Sequence, residues 1–195
     1  VMRIDYIEIK ATWREVADAA RTTVGMEKGR GEPGIKWRHK MLLCEHSPIR
    51  QLIIKWKWVD LQYWVSVHFV RHKIGIEHFV STQRSDRTGI NRDELPQSQL
   101  VTHECIANAQ AIINISRKRL CAQASRETNK AWKLVLDAVK KELPELYNVC
   151  VPECIYRGFC PELNSCGWAG TDAFAERLKQ YREVSFDESH STLIR

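Results

Sequence analysis

The stretch VSVHFVRHKIGIEHFVSTQRSDR (residues 65–87) decides how the chain is read. An apolar run, Val65, Val67, Phe69 and Val70, gives way at once to Arg71, His72 and Lys73. His78, Ser81, Arg84 and Arg87 then follow within the same stretch. A metal site, a nucleic-acid patch or an anionic cofactor pocket would each place cationic and titratable groups where a core pattern ends. His68 and His72 are four residues apart and share a face if the segment is helical, with His78 as a third nitrogen. Arg71 and Lys73 flank that pair, and cationic neighbours oppose a bound dication. Arg71 sits at the edge of the apolar run, where a guanidinium is suited to bidentate contacts with phosphate or carbonyl groups.

Working outward, the 195 residues are enough for one domain with a substantial core. The hydrophobic fraction of 44% and charged fraction of 28% are those of a globular protein. Lys55, Lys57 and Asp60 interrupt the best candidate for a bilayer span, and no signal peptide is read, so a cytoplasmic location is expected. The net charge of +6 favours anionic partners, but it is spread along the chain. Cations recur at Arg92, Arg117, Lys118, Arg119 and Arg126; for Arg92 and Lys118 a solvated face is the simplest reading.

The pattern predicts an α+β fold with a mixed or antiparallel sheet flanked by helices. Residues 3–10 alternate as a strand, and a helix follows in which Thr12 and Glu15 have capping-box spacing. A short helix is expected over 36–44. A half-buried strand over 51–61 has Leu52, Ile54, Trp56 and Trp58 on one side and Lys55 and Lys57 on the other. Residues 62–73 read as a helix, 82–99 as an exposed loop, and 100–121 and 125–143 as two helices, the second stopped by Pro144. A last helix over 172–181 precedes a polar tail.

Seven cysteines divide into two groups. Cys44, Cys105 and Cys121 stand far apart and read as reduced core thiols. Cys150, Cys154, Cys160 and Cys166 fall within 17 residues of a Pro/Gly-rich segment spanning about 150–170. Four such thiols can wrap a structural zinc or an iron–sulfur cluster, although no pair has the spacing of a common zinc knuckle. Free thiols packing a loop, or one reversible disulfide, are the simpler reading.

Arg71-His72-Lys73, seven residues, then Ser81 resembles the signature of the flavin-dependent thymidylate synthases: Arg-His-Arg, seven residues, Ser. "AARTT" (residues 19–23) is similar to that family's Ala-Arg-x-Ser segment. "EHSPIR" (residues 45–50) is similar to its His-x-(Ser/Thr)-Pro segment, with His46 standing 25 residues before Arg71. Downstream, "NAQAIINISRKRLCAQASRE" (residues 108–127) resembles its Asn-x-Arg…Leu-Arg…Glu region, in which Arg119 and Glu127 match. The resemblance covers about residues 5–140 and leaves out the cysteine segment and the tail.

The resemblance implies a homotetramer with FAD between subunits, NADPH as reductant and methylenetetrahydrofolate as one-carbon donor. A pyrimidine deoxynucleotide monophosphate, dUMP first, would be the substrate, with no membrane and no nucleic acid as partner. It implies that Thr23, Arg71, His72, Lys73 and Arg119 bind the cofactor, and that His46, His68, Ser81 and Arg84 carry catalysis. His68, Arg71, Ser81, Gln83, Arg84 and Gln110 would contact the substrate. Lys73 replaces the third-position Arg, losing the planar fork but keeping the charge. His78 and Phe79 stand where an Asn-Glu pair is usual, Arg84 lies one residue further on than the pattern places it, and Gln110 and Asp137 stand where arginines are expected. C5 hydroxymethylation of dUMP or dCMP is the nearest variant activity. A homologue without catalysis and a nucleic-acid-binding module with a zinc-bound cysteine cluster are the non-enzymatic alternatives.

Overall fold

The computed structural model describes residues 1–185. The opening strand β1 (Arg3–Lys10) leads into α1 (Trp13–Thr23), whose capping box closes as expected: the Glu15 N–H donates to Thr12 Oγ1 and the Glu15 carboxylate accepts from the Thr12 N–H. Next come α2 (Ile35–Leu43), a 3-10 turn over Ser47–Gln51 and the long strand β2 (Ile53–Gln62). Helix α3 (Tyr63–Phe69) ends just before Arg71, and β3 (Ile76–Val80) follows within a few residues. A single turn α4 (Ser85–Thr88) lies in the long loop before β4 (Leu100–Asn108). The remaining helices are α5 (Ala109–Arg119), α6 (Arg126–Glu142), α7 (Pro144–Val149), α8 (Glu153–Arg157) and α9 (Asp172–Ser185). Residues 186–195, most of the polar tail, lie outside the described part.

Four strands form one antiparallel sheet in the order β1-β2-β4-β3. One expectation is corrected here. Residues 100–108 form the inner strand β4 rather than the first half of a helix, and residues 76–80, for which no element is expected, form the edge strand β3. Buried and half-buried residues alternate along β4, with Val101, His103, Cys105 and Ala107 facing the core, which is strand periodicity. Asn108 then turns the chain directly into α5, its side-chain oxygen accepting from the Ala111 N–H at 2.9 Å.

One face of the sheet carries the core. Trp56 and Trp58 meet edge to face with ring centroids 5.4 Å apart, Trp132 of α6 lies 5.9 Å from Trp56, and Phe69 of α3 lies 4.6 Å from Trp58. The Trp58 indole N–H donates to the Ala131 carbonyl at 3.0 Å and the Trp132 N–H to Ser116 Oγ at 3.0 Å. These bonds tie α5, α6 and the sheet together. The opposite face is polar, where Lys57 pairs with Asp5 and Lys55 with Glu104. A small satellite cluster of Val151, Ile155 and Phe174 joins α8 to α9. Among the described residues no helix is long and apolar enough to cross a membrane.

Because Trp56 is fully buried between Trp58 and Trp132, Trp56→Ala should lower the unfolding free energy by about 3–5 kcal/mol. Urea denaturation measures it, and a loss below about 1 kcal/mol, within the range of a surface substitution, would mean the aromatic stack does not carry the core.

Candidate functional site

Burial of Phe69 fixes the last turn of α3, and the chain reverses tightly enough for the His72 N–H to donate to the Phe69 carbonyl at 2.9 Å. Arg119, in the last turn of α5, closes on this turn from the side. Its Nε–H donates to His72 Nε2 at 2.9 Å and its Nη2 donates to the His68 carbonyl at 2.6 Å. A guanidinium has only donors, so His72 Nε2 must accept and its proton must sit on Nδ1. Burial, followed by the charge of Arg119, pushes His72 down to about 4, so it is a neutral imidazole at physiological pH. It therefore serves as an oriented donor and not as a cation. Arg71 and Lys73 on either side are exposed and supply the positive charge.

A second group lies directly beneath. The His78 Nε2–H donates to the His72 carbonyl at 2.8 Å, leaving His78 Nδ1 as a lone pair 3.0 Å from His103 Nε2. The Cys105 sulfur is 3.2 Å from His78 Nδ1 and 3.3 Å from His103 Nε2. Register explains the convergence, since His78 pairs with Cys105, and Val80 with His103, across β3 and β4. Burial pushes His103 down to about 3 and raises the Cys105 thiol well above its ordinary range. The group is a hydrogen-bonded triangle under the His72 turn, and its two nitrogens and one sulfur are also the ligand types of a tetrahedral metal face. Cys105 is the buried thiol expected, but a helical reading of 100–108 does not bring His103 beside it. On a strand they share a face at i and i+2, which was the available signal.

His68 turns away from Arg71. Its ring meets Trp64 edge-on at 5.5 Å, and its Nδ1 lies 3.0 Å from Thr128 Oγ1, which in turn accepts from Ser125 Oγ at 2.7 Å. That order of donors gives His68 a proton on Nε2. Ser81 continues the edge of β3, its Oγ accepting from the Thr102 N–H at 3.0 Å. Gln83 Nε2 is buried without a partner. Arg84 is exposed and its fork is occupied by Asp86, Nε to Oδ1 at 3.0 Å and Nη2 to Oδ2 at 2.8 Å. An anion taking the Nε/Nη2 side of the Arg84 guanidinium has to displace Asp86.

The remaining predicted site residues gather at the other end of α5. An open cleft of about 340 Å³ lies between α1 and the 3-10 turn, lined by Ala19, Thr23, Ser47, Pro48, Arg50 and Gln51. His46 is exposed at the start of that turn. Next to it, Glu45 accepts from Gln110 Nε2 at 2.6 Å and pairs with Arg117, whose guanidinium lies over the Tyr156 ring at 3.5 Å. Gln110 is thus engaged within the fold. The lining of that cleft includes none of Arg71, His72 and Arg119.

The cysteine set is also corrected. Cys150 is buried in the main core beside Ser116, its thiol pushed up to about 12 by burial, and it takes no part in the cysteine-rich loop. Cys154, Cys160 and Cys166 are joined instead by Cys121, which follows α5, around a cavity of about 250 Å³.

With this geometry in hand, the class is that of the flavin-dependent thymidylate synthase fold. A UMP/dUMP methylase, PolB, from Streptomyces cacaoi bound with 5-Br dUMP aligns with a TM-score of 0.63 at 13% identity, over 82% of this chain and 96% of that one. Two structures of flavin dependent thymidylate synthase ThyX from Helicobacter pylori, both with FAD and dUMP, align with a TM-score of 0.61 at 14% identity, over 77% of this chain and 99% of those. No family model matches the chain, and no curated protein matches it in sequence. The likeness lies in the fold.

The two buried histidines set a pH dependence. The unfolded chain takes up these protons near the ordinary 6.5, the folded chain only near about 4 for His72 and about 3 for His103. Between those values the unfolded state binds more protons, so stability falls as pH drops below 6.5 and no longer changes on their account above it. Thermal melts across that range should show the decline, and His72→Gln should make it shallower. A melting temperature that rises on acidification would contradict neutral histidines.

Proposed function

We propose that the chain is a flavin-dependent enzyme that transfers a one-carbon unit from methylenetetrahydrofolate to C5 of a pyrimidine deoxynucleotide monophosphate, dUMP to dTMP, with NADPH as reductant. The observation that carries this reading is that "AARTT" and "EHSPIR", two of the segments on which the resemblance rests, line one open cleft through Thr23, Ser47 and Arg50. Solved structures with this fold hold FAD and dUMP, or 5-Br dUMP.

The residues present fit an anionic, aromatic cofactor. Arg71 and Lys73 stand exposed on a turn made rigid by Arg119, placed to neutralise a pyrophosphate, while hydroxyls and Arg50 line the cleft. His72 holds its proton at Nδ1 and offers it as a fixed donor without titrating, which costs no reorganisation during reaction. When bound, the flavin supplies the redox chemistry that one-carbon transfer requires. His68, protonated on Nε2, is a donor for a pyrimidine carbonyl, Ser81 and Arg84 take the nucleotide phosphate once Asp86 yields, and His46 borders the pterin side. Cys105, buried with its thiol held protonated, is a poor nucleophile, in keeping with a reaction that uses none.

The two halves of the site lie apart in one chain, which supports completion across subunits of a homotetramer. Ile74, Phe79 and Leu100, all exposed apolar residues near the β3 edge, are suited to that contact.

Incubation with FAD, NADPH, methylenetetrahydrofolate and dUMP or dCMP, with the product identified by mass, tests the reading. A methylated nucleotide is expected. A hydroxymethylated one moves the assignment to the variant activity, and no turnover by flavin-loaded protein contradicts it. Arg84→Ala should weaken dUMP binding by about tenfold, the loss of about 1.4 kcal/mol, with FAD affinity unchanged. Loss of FAD with unchanged dUMP affinity would refute the role given to Arg84.

A further inference from the structure

We propose that Cys121, Cys154, Cys160 and Cys166 ligate a [4Fe–4S] cluster. Four thiols drawn from two distant parts of the chain, the end of α5 and the segment from α8 to residue 166, surround one cavity of about 250 Å³. Leu120 and Trp168 contribute apolar walls, and no lysine or arginine lines it. Cys121, Cys154 and Cys160 are half-buried and Cys166 is exposed, so these thiols stand around an open space, unlike Cys150 and Cys105, which pack into the core.

The spread of the sulfurs bears on the occupant. A single tetrahedral zinc, with Zn–S near 2.3 Å, draws its sulfurs to about 3.8 Å of one another and leaves no room between them. Here no three of the four sulfurs all lie within 4.8 Å of one another; among the described residues His78, His103 and Cys105 are the group that does. Thiolates set around a space are what a multi-iron cubane requires, because the cluster fills the centre and each sulfur binds one corner iron.

A backbone donor adds a second observation. The Gln123 N–H donates to Cys121 Sγ at 3.5 Å. Amide hydrogen bonds to sulfur are among the contacts that set cluster properties. The loop is also held in place, with Gln123 Nε2 donating to the Asn164 carbonyl at 2.7 Å. A cluster here would staple the cysteine-rich segment to the end of α5, two residues beyond Arg119. This inference does not depend on the flavin reading, and either can fail alone.

The test uses the full chain, purified without oxygen and reconstituted with ferrous iron and sulfide, then desalted. About four irons and about four acid-labile sulfides per chain are expected, with the Mössbauer signature of a cubane. Cys166→Ser, at an exposed position, and Cys160→Ser should each strip most of the iron while circular dichroism stays unchanged. Cys150→Ala should retain it. Close to one zinc per chain that iron does not displace, no bound metal at all, or iron loss in Cys150→Ala equal to that in Cys166→Ser would each overturn the proposal.

Discussion

The arrangement of the site depends on the grip of Arg119 on the turn after α3. One guanidinium bonds the His72 ring and the His68 carbonyl together, and it reaches them only because α5 starts directly from β4 and runs back along the core. Arg119 is half-buried, and burial lowers its own affinity for a proton, as the charge of Arg71 also does. Two partners that can only accept compensate for that burial. Asn129 secures the same point from α6 by donating to the Arg119 carbonyl at 2.8 Å. The turn is thereby fixed before any ligand arrives, which under the proposed function would let exposed Arg71 and Lys73 act as placed charges and not as a solvated run.

The aromatic core determines where that turn stands. Phe69 packs on Trp58 and Trp132, so the last turn of α3 is registered against both the sheet and α6. Directly below, His78, His103 and Cys105 connect β3 and β4 to the His72 carbonyl. The segment between Arg71 and Ser81, where the chain departs most from the family pattern, therefore carries a hydrogen-bonded support of its own in place of the usual Asn-Glu pair.

Much of the frame was legible from local chemistry. The Thr12–Glu15 box, the alternation around Trp56 and Trp58 and the stop at Pro144 each report a backbone requirement that neighbouring residues alone satisfy. The failures share a physical cause. Residues 100–108 pass into α5 with no Gly or Pro between, and His103 occupies an apolar register position, so the two-residue alternation was hidden. Gln110 and Arg84 also have partners, Glu45 and Asp86, that motif matching does not show. Cys121 was left out of the cysteine cluster because it lies far from Cys154 in sequence and only tertiary packing brings them together. Spacing arithmetic finds ligands within one loop and is blind to those on separate elements.

The claim on which the account turns is that Arg119 pre-forms a flavin-binding turn. Equilibrium FAD binding, followed by quenching of flavin fluorescence in wild-type protein and in Arg119→Leu, measures it directly. The account predicts close to stoichiometric FAD binding by wild type and a loss of at least about tenfold in affinity in a variant that remains folded, the weight of one charge-assisted bond or more. A wild-type chain that takes up no FAD, or a folded Arg119→Leu variant that binds it as tightly, would contradict it.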